Sequence, residues 1–137
     1  MIGGGDSALE EGLYLANLAK EVTIVHRRNK LKASQIFQKR AAAADNVHFL
    51  WNKDTQEVIG DKEKVTAIKL RDNVNGEVSI YPTSGLFIYV GIYPNTKGLE
   101  NLGILDDKGW VLTDENMQTA IPGITRSATF VKILFAK

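Results

Sequence analysis

Gly3-Gly4-Gly5-Asp6-Ser7-Ala8 opens this chain, and Val25-His26-Arg27-Arg28 follows it after a helix-length interval. Gly3, Gly5 and Ala8 fill the small positions of G-x-G-x-x-A: a tight turn, close backbone approach to a pyrophosphate, and close packing of a helix on a strand. Asp6 to Lys20 carries Leu9, Leu13, Ala16, Leu18 and Ala19 at near-helical spacing, with Glu10 and Glu11 early, where the positive end of the helix dipole favours them. Glu21-Val22-Thr23-Ile24-Val25 is the short β-branched run of a buried parallel strand. Turn, helix and strand form the second half of a βαβ unit, and the free amides at the helix start face an anion. Such a turn follows a buried strand, yet only Met1 and Ile2 precede it, so the first strand is expected to be largely missing.

The residues after the next strand set the ribose preference. An acid there would accept hydrogen bonds from a 2′-hydroxyl, whereas basic residues accommodate a 2′-phosphate. This chain offers His26, Arg27 and Arg28, with Lys32 one turn later, and no acid. Arginine's planar fork matches phosphate oxygens, so NADPH is expected over NADH. Each half of the pattern has a plainer reading: a glycine turn without a ligand, or a solvated basic face extended by Lys30, Lys39 and Arg40. A nucleic-acid surface is a further alternative, but the patch lacks interleaved aromatic residues. Trp51 and Trp110 read as packing residues, and His48 as an edge or core histidine with no carboxylate partner placed near it.

Further along, a second helix is expected from about Ala33 to Ala44, with Asn46 closing it ahead of a strand at Val47 to Trp51. Thr55 to Ile59, Lys64 to Arg71 and Glu77 to Tyr81, with turn signals at Gly60-Asp61 and Asn73 to Gly76, predict a β-meander. The apolar run Gly85 to Gly91 fits a central strand buried on both faces. Pro94-Asn95-Thr96 ends that unit, and two short strands are expected around Leu105 and at Trp110 to Leu112.

Composition excludes several classes of function. Seventeen basic and sixteen acidic residues among 137 give a net charge of +1, which is no field for capturing nucleic acid or anionic membrane. Without cysteine there is neither a disulfide framework nor a thiolate metal site, and two histidines make a poor cage. The longest apolar stretches, including Phe130 to Ala136, are too short to span a bilayer, and no secretory segment precedes Gly3, so a cytoplasmic setting is expected.

Gly3 to Glu11, Val25 to Arg28, Lys32-Ala33-Ser34, Gln38 to Ala41, Gly91 to Thr96 and Thr119 to Ile124 together resemble the NADPH domain of bacterial thioredoxin reductases. The resemblance covers roughly Met1 to Ile124. It implies an α/β, Rossmann-like NADPH-binding domain: a parallel sheet with flanking helices plus an antiparallel β-meander, over residues 1–93. Residues 94–124 resemble part of the C-terminal segment that returns to an FAD-binding domain. Gly3, Gly4, Gly5, Asp6, Ser7 and Ala8 would lie at the pyrophosphate, His26, Arg27, Arg28 and Lys32 at the 2′-phosphate, and Gly91, Ile92 and Tyr93 near the nicotinamide half. Lys32 stands where the family has a third arginine, which keeps charge but loses the bidentate fork.

In the full-length family, hydride passes from NADPH to FAD, and electrons continue to a Cys-x-x-Cys pair and thioredoxin. Neither the FAD half nor the dithiol is in this chain, so it is expected to lack disulfide reductase activity alone, and to form a homodimer or an oligomer through an exposed sheet edge. A ferredoxin or flavodoxin-NADP reductase-like flavoprotein and a remnant that binds no nucleotide usefully are the alternatives. Residues 125–137 depart from the family. Thr125 to Val131, written ACG-CGA-TCG-GCG-ACG-TTC-GTC and read one nucleotide earlier after a T, give Tyr-Ala-Ile-Gly-Asp-Val-Arg, the family's own continuation. A frameshifted tail is therefore expected there.

Overall fold

The computed structural model describes residues 1–126 throughout and the backbone of 131–133; most of the expected shifted tail lies outside the described residues. The chain divides into two compact units, Met1–Val90 and Gly91–Lys137.

The first unit opens with β1 (Ile2–Gly3), the glycine turn and α1 (Asp6–Ala16), then β2 (Val22–His26), α2 (Gln35–Ala42) and β3 (Val47–Trp51). The meander follows as β4 (Lys53–Gly60), β5 (Val65–Asp72) and β6 (Val78–Pro82), and β7 (Ile88–Tyr89) ends the unit. The parallel sheet has the order β3-β2-β1-β7, and the meander is a separate antiparallel sheet, β4-β5-β6. The α/β class and the meander are thus as expected.

Alternation along β2 explains the layering. Val22 and Ile24 join Met1, Ala8, Leu9, Leu31, Ala33, Ala41 and Val47 in a core under the two helices. Val25 points the other way, packing with Ile68 and Leu70 of the meander. Leu9 and Ile24 are completely buried, each contributing about 1.5–3 kcal/mol of transfer free energy. A hydrogen bond of 2.8 Å between Thr23 Oγ1 and the Tyr81 hydroxyl ties the parallel sheet to the meander.

β1 is only two residues long, yet it occupies an interior position. Ile2 pairs with both Val25 and Ile88. The Met1 carbonyl accepts from the Val25 amide at 2.8 Å. The Met1 amine donates to the Thr23 carbonyl at 2.9 Å, and burial lowers its pKa. These few residues therefore satisfy backbone groups of β2 although the strand is short.

Three other expectations need correction. The helix predicted to reach Lys20 stops at Ala16, because the Asn17 side-chain amide donates to the carbonyls of Leu13 and Tyr14 and closes the last turn. Leu18, expected on its buried face, is 70% exposed. The run Gly85 to Gly91 is not a central strand: it contributes only two residues, at the edge of the described sheet, with Ile88 and Val90 exposed. An apolar run of strand length reports burial potential but not sheet position.

In the second unit a 3-10 helix spans Lys97–Leu102, and β8 (Val111–Thr113) pairs in parallel with β9 (Val131–Ile133). Asp106 shapes the turn before β8: its Oδ1 accepts from the amides of Lys108 and Trp110. The expected strand around Leu105 is a single antiparallel bridge to Val111. No helix of the described residues is long and apolar enough to cross a membrane.

Candidate nucleotide-binding site

The three glycines of the turn do different work. A Cβ on Gly3 would stand 2.6 Å from the Tyr89 carbonyl oxygen and 2.7 Å from Ala8 Cβ, so only glycine lets β1 pass between α1 and β7. At Gly4 a Cβ would stand 2.4 Å from the His26 ring. At Gly5 a Cβ would meet nothing within 4 Å. Gly5 also has φ −96°, a backbone angle open to any residue, and it is the N-cap of α1 with no side-chain cap bond. Neither packing nor conformation demands glycine there. The bare position instead gives an anion access to the first amides of α1, those of Asp6, Ser7 and Ala8, which have no acceptor within the helix.

The basic loop after β2 is laced to this turn. The Gly4 carbonyl accepts from the amides of Lys32, at 2.7 Å, and Ala33, at 3.0 Å. Asp6 Oδ1 accepts from the Ser34 amide at 2.5 Å. Asp6, expected at the pyrophosphate, thus has its carboxylate engaged by the loop, and the loop and the turn are fixed to one another by backbone geometry.

His26, grouped with the arginines by sequence, is placed apart from them. It is 8% exposed, its ring packs against Gly4, and its Nε2 lies 3.1 Å from the Lys30 carbonyl, a geometry that suits an Nε2–H donor. Trp51 meets the ring edge-on at 6.4 Å and stacks on Phe49 at 5.1 Å, the packing role expected of it. Arg27, Arg28 and Lys32 are exposed, and among the described residues no ion pair engages them. Three cations close to the turn therefore keep their hydrogen-bonding capacity for a ligand.

Two anchors of this loop carry no motif. Asn73 Nδ2 donates to the Arg27 carbonyl at 3.2 Å, and the Asn52 amide to the Arg28 carbonyl at 3.4 Å. Asn52 sits at φ +56°, a left-handed conformation for which asparagine is enriched. The turn-forming composition around Asn73 was visible in the sequence, but its target was not.

Gly91, Ile92 and Tyr93 open the second unit. Gly91 has φ +122°, which favours glycine, and Tyr93 is 86% exposed. His48 lies on the edge strand β3, as expected, but a carboxylate does approach it: Glu21 Oε2 stands 4.0 Å from its Nε2. An open cleft of about 350 Å³, bordered by Met1, Lys20, Thr23, Tyr81 and Phe87, shares no residue with the glycine turn or basic loop. The candidate site is a surface of amides and cations rather than that cleft. Among the described residues no group of histidine and acidic side chains is arranged to hold a metal ion.

Known proteins resemble this chain in sequence and in fold. The sequence pattern of the pyridine nucleotide-disulphide oxidoreductase family matches residues 1–125. A thioredoxin reductase of Listeria monocytogenes is 55% identical over 124 residues, covering 90% of this chain and 39% of that protein. Among solved structures, the thioredoxin reductase of Lactococcus lactis in its FR conformation superposes with a TM-score of 0.86 at 44% identity, over 90% of this chain and 41% of that one. That of T. acidophilum gives 0.88 at 31% identity, over 99% and 45%. The chain thus spans 39% of the curated relative's length. With a family match over nearly the whole chain, 55% identity to a curated relative and a shared fold, the chain belongs to the pyridine nucleotide-disulphide oxidoreductase family and is homologous to its thioredoxin reductases.

Proposed function

We propose that this chain binds NADPH as the nucleotide-binding part of a thioredoxin-disulfide reductase. The observation that carries this reading is the bare Gly5 position at the start of α1, tied through Gly4 to a loop whose arginine side chains make no ion pair among the described residues. Gly3, Gly4, Gly5, Ser7 and Ala8 surround the pyrophosphate, chiefly through backbone amides. Asp6 holds the loop through Ser34. Arg27 and Arg28 take the 2′-phosphate, Lys32 adds a point charge, and His26 supports the turn from beneath. Gly91, Ile92 and Tyr93 are assigned to the nicotinamide half, with residues 1–93 as the NADPH-binding domain.

The nucleotide, when bound, supplies a hydride; this chain's residues orient it and neutralise its phosphates. Residues 94–124 belong, on this reading, to a flavin-binding domain, and thioredoxin is the final acceptor. The 137 residues contain no cysteine and so supply no redox dithiol, from which we expect no disulfide reduction by this chain alone. A cytoplasmic setting fits this chemistry. The exposure of Ile88, 59%, on the edge strand β7 favours association of two copies or of an added strand there. The family match ends at residue 125, where the shifted-tail reading begins; DNA whose neighbouring frame lacks the Tyr-Ala-Ile-Gly-Asp-Val-Arg codons would overturn that reading.

Titration with NADPH and NADH tests the central claim. NADPH should bind more tightly, and Arg27→Ala with Arg28→Ala should weaken it by roughly 30-fold, about 2 kcal/mol, while NADH binding stays within about twofold. Equal affinity of the unaltered chain for the two nucleotides would sink the assignment.

A further inference from the structure

We infer that Asn73, in the turn between β5 and β6, is a positioning residue for 2′-phosphate recognition, acting through the Arg27 carbonyl. The inference rests on the NADPH reading above. The basic loop is fixed at one end by the bonds of Lys32, Ala33 and Ser34 to the glycine turn. At the other end Arg27 and Arg28 have no side-chain anchor among the described residues, so their direction is set by their peptide planes. Asn73 Nδ2 holds the Arg27 carbonyl, and the Asn52 amide holds that of Arg28.

The holder is itself braced. The Asn73 amide donates to the Asn52 carbonyl at 2.7 Å, which joins the two anchors. Lys53 Nζ pairs with Asp72 Oδ2 at 2.7 Å, while Asp72 Oδ1 accepts from the Val74 amide at 2.7 Å. The meander turn is therefore a rigid shelf carrying one directed amide, and a loop held at both ends retains its arginines in a phosphate-ready geometry at lower entropic cost on binding. Asn73 is exposed, so removing its side chain leaves the core intact.

The test compares NADPH and NADH dissociation constants for the full 137-residue chain, Asn73→Ala and Asn75→Ala. Asn75 shares the turn but contacts Glu77 rather than the loop, so it reports general loosening of the turn. Asn73→Ala should weaken NADPH by about fivefold with NADH within about twofold, and Asn75→Ala should leave both nearly unchanged. Equal weakening of the two nucleotides, an unchanged NADPH constant, or the same loss in Asn75→Ala overturns the inference while leaving the site reading intact. Absence of NADPH preference in the unaltered chain overturns both.

Discussion

The glycine turn and the basic loop lie side by side and are built on opposite principles. At the turn the requirements are steric: Gly3 and Gly4 are glycine because Tyr89, Ala8 and His26 leave no room for a Cβ. In the loop, the side chains of Arg27, Arg28 and Lys32 make no ion pair among the described residues, and order comes from main-chain bonds to Gly4, Asn52 and Asn73. One region is held by what its side chains lack, the other by what its backbone donates and accepts. Phosphate chemistry needs both, because a close approach demands bare backbone and a counter-charge demands uncommitted side chains.

Substitutions within the turn should break this contrast most strongly. Gly3→Ala should cost about 3 kcal/mol in urea denaturation, since the new methyl collides with a carbonyl and with Ala8. Gly5→Ala, where nothing crowds the position, should cost less than about 1 kcal/mol yet weaken nucleotide binding at least about tenfold. Similar stability losses for the two variants would show that the glycines are not divided between packing and ligand access.

A smaller effect concerns the shelf beneath the loop. The Lys53 ammonium, then the amides of Val74 and Asn75, bring Asp72 down to about 2 from an ordinary 3.8. A carboxyl whose folded value is depressed stabilises the fold above its unfolded value, so this contribution is complete above about pH 4 and is lost as pH falls toward 2. Urea midpoints measured at pH 6 and pH 3 should therefore converge in Lys53→Met relative to the unaltered chain. A pH step of the same size in both would remove the ion pair from the account.

The smallest expected change sharpens the loop alone. Lys32→Arg restores a planar fork and should tighten NADPH a few-fold with no change in NADH or in the denaturation midpoint. Tightening of both nucleotides alike would show that residue 32 senses overall charge and not the 2′-phosphate.

Much of the fold was legible because its signals are local. The small residues at 3, 5 and 8, the β-branched run before His26 and the turn at residues 73–76 report geometry within a few residues of themselves, and the structure has strands and turns there. Legibility failed where distant atoms decide. Asn17 ended α1 early through its own amide, and β7 became an edge strand because position in a sheet depends on which strands pair. His26 read as a phosphate ligand from its neighbours in sequence, whereas its burial depends on Gly4 and Trp51, far away along the chain.

By itself the sequence determined the chemical offer: bare backbone at a helix start, cations at the end of the next strand, and no thiol. Residue type and short spacing suffice for that, since they fix charge and local backbone freedom. Only the tertiary structure decided which glycines leave no room for a Cβ and which stands open, that His26 is buried while Arg27 and Arg28 stay exposed, and that the meander bonds to their loop. Those outcomes depend on contacts between residues tens of positions apart, whose meeting no local pattern encodes.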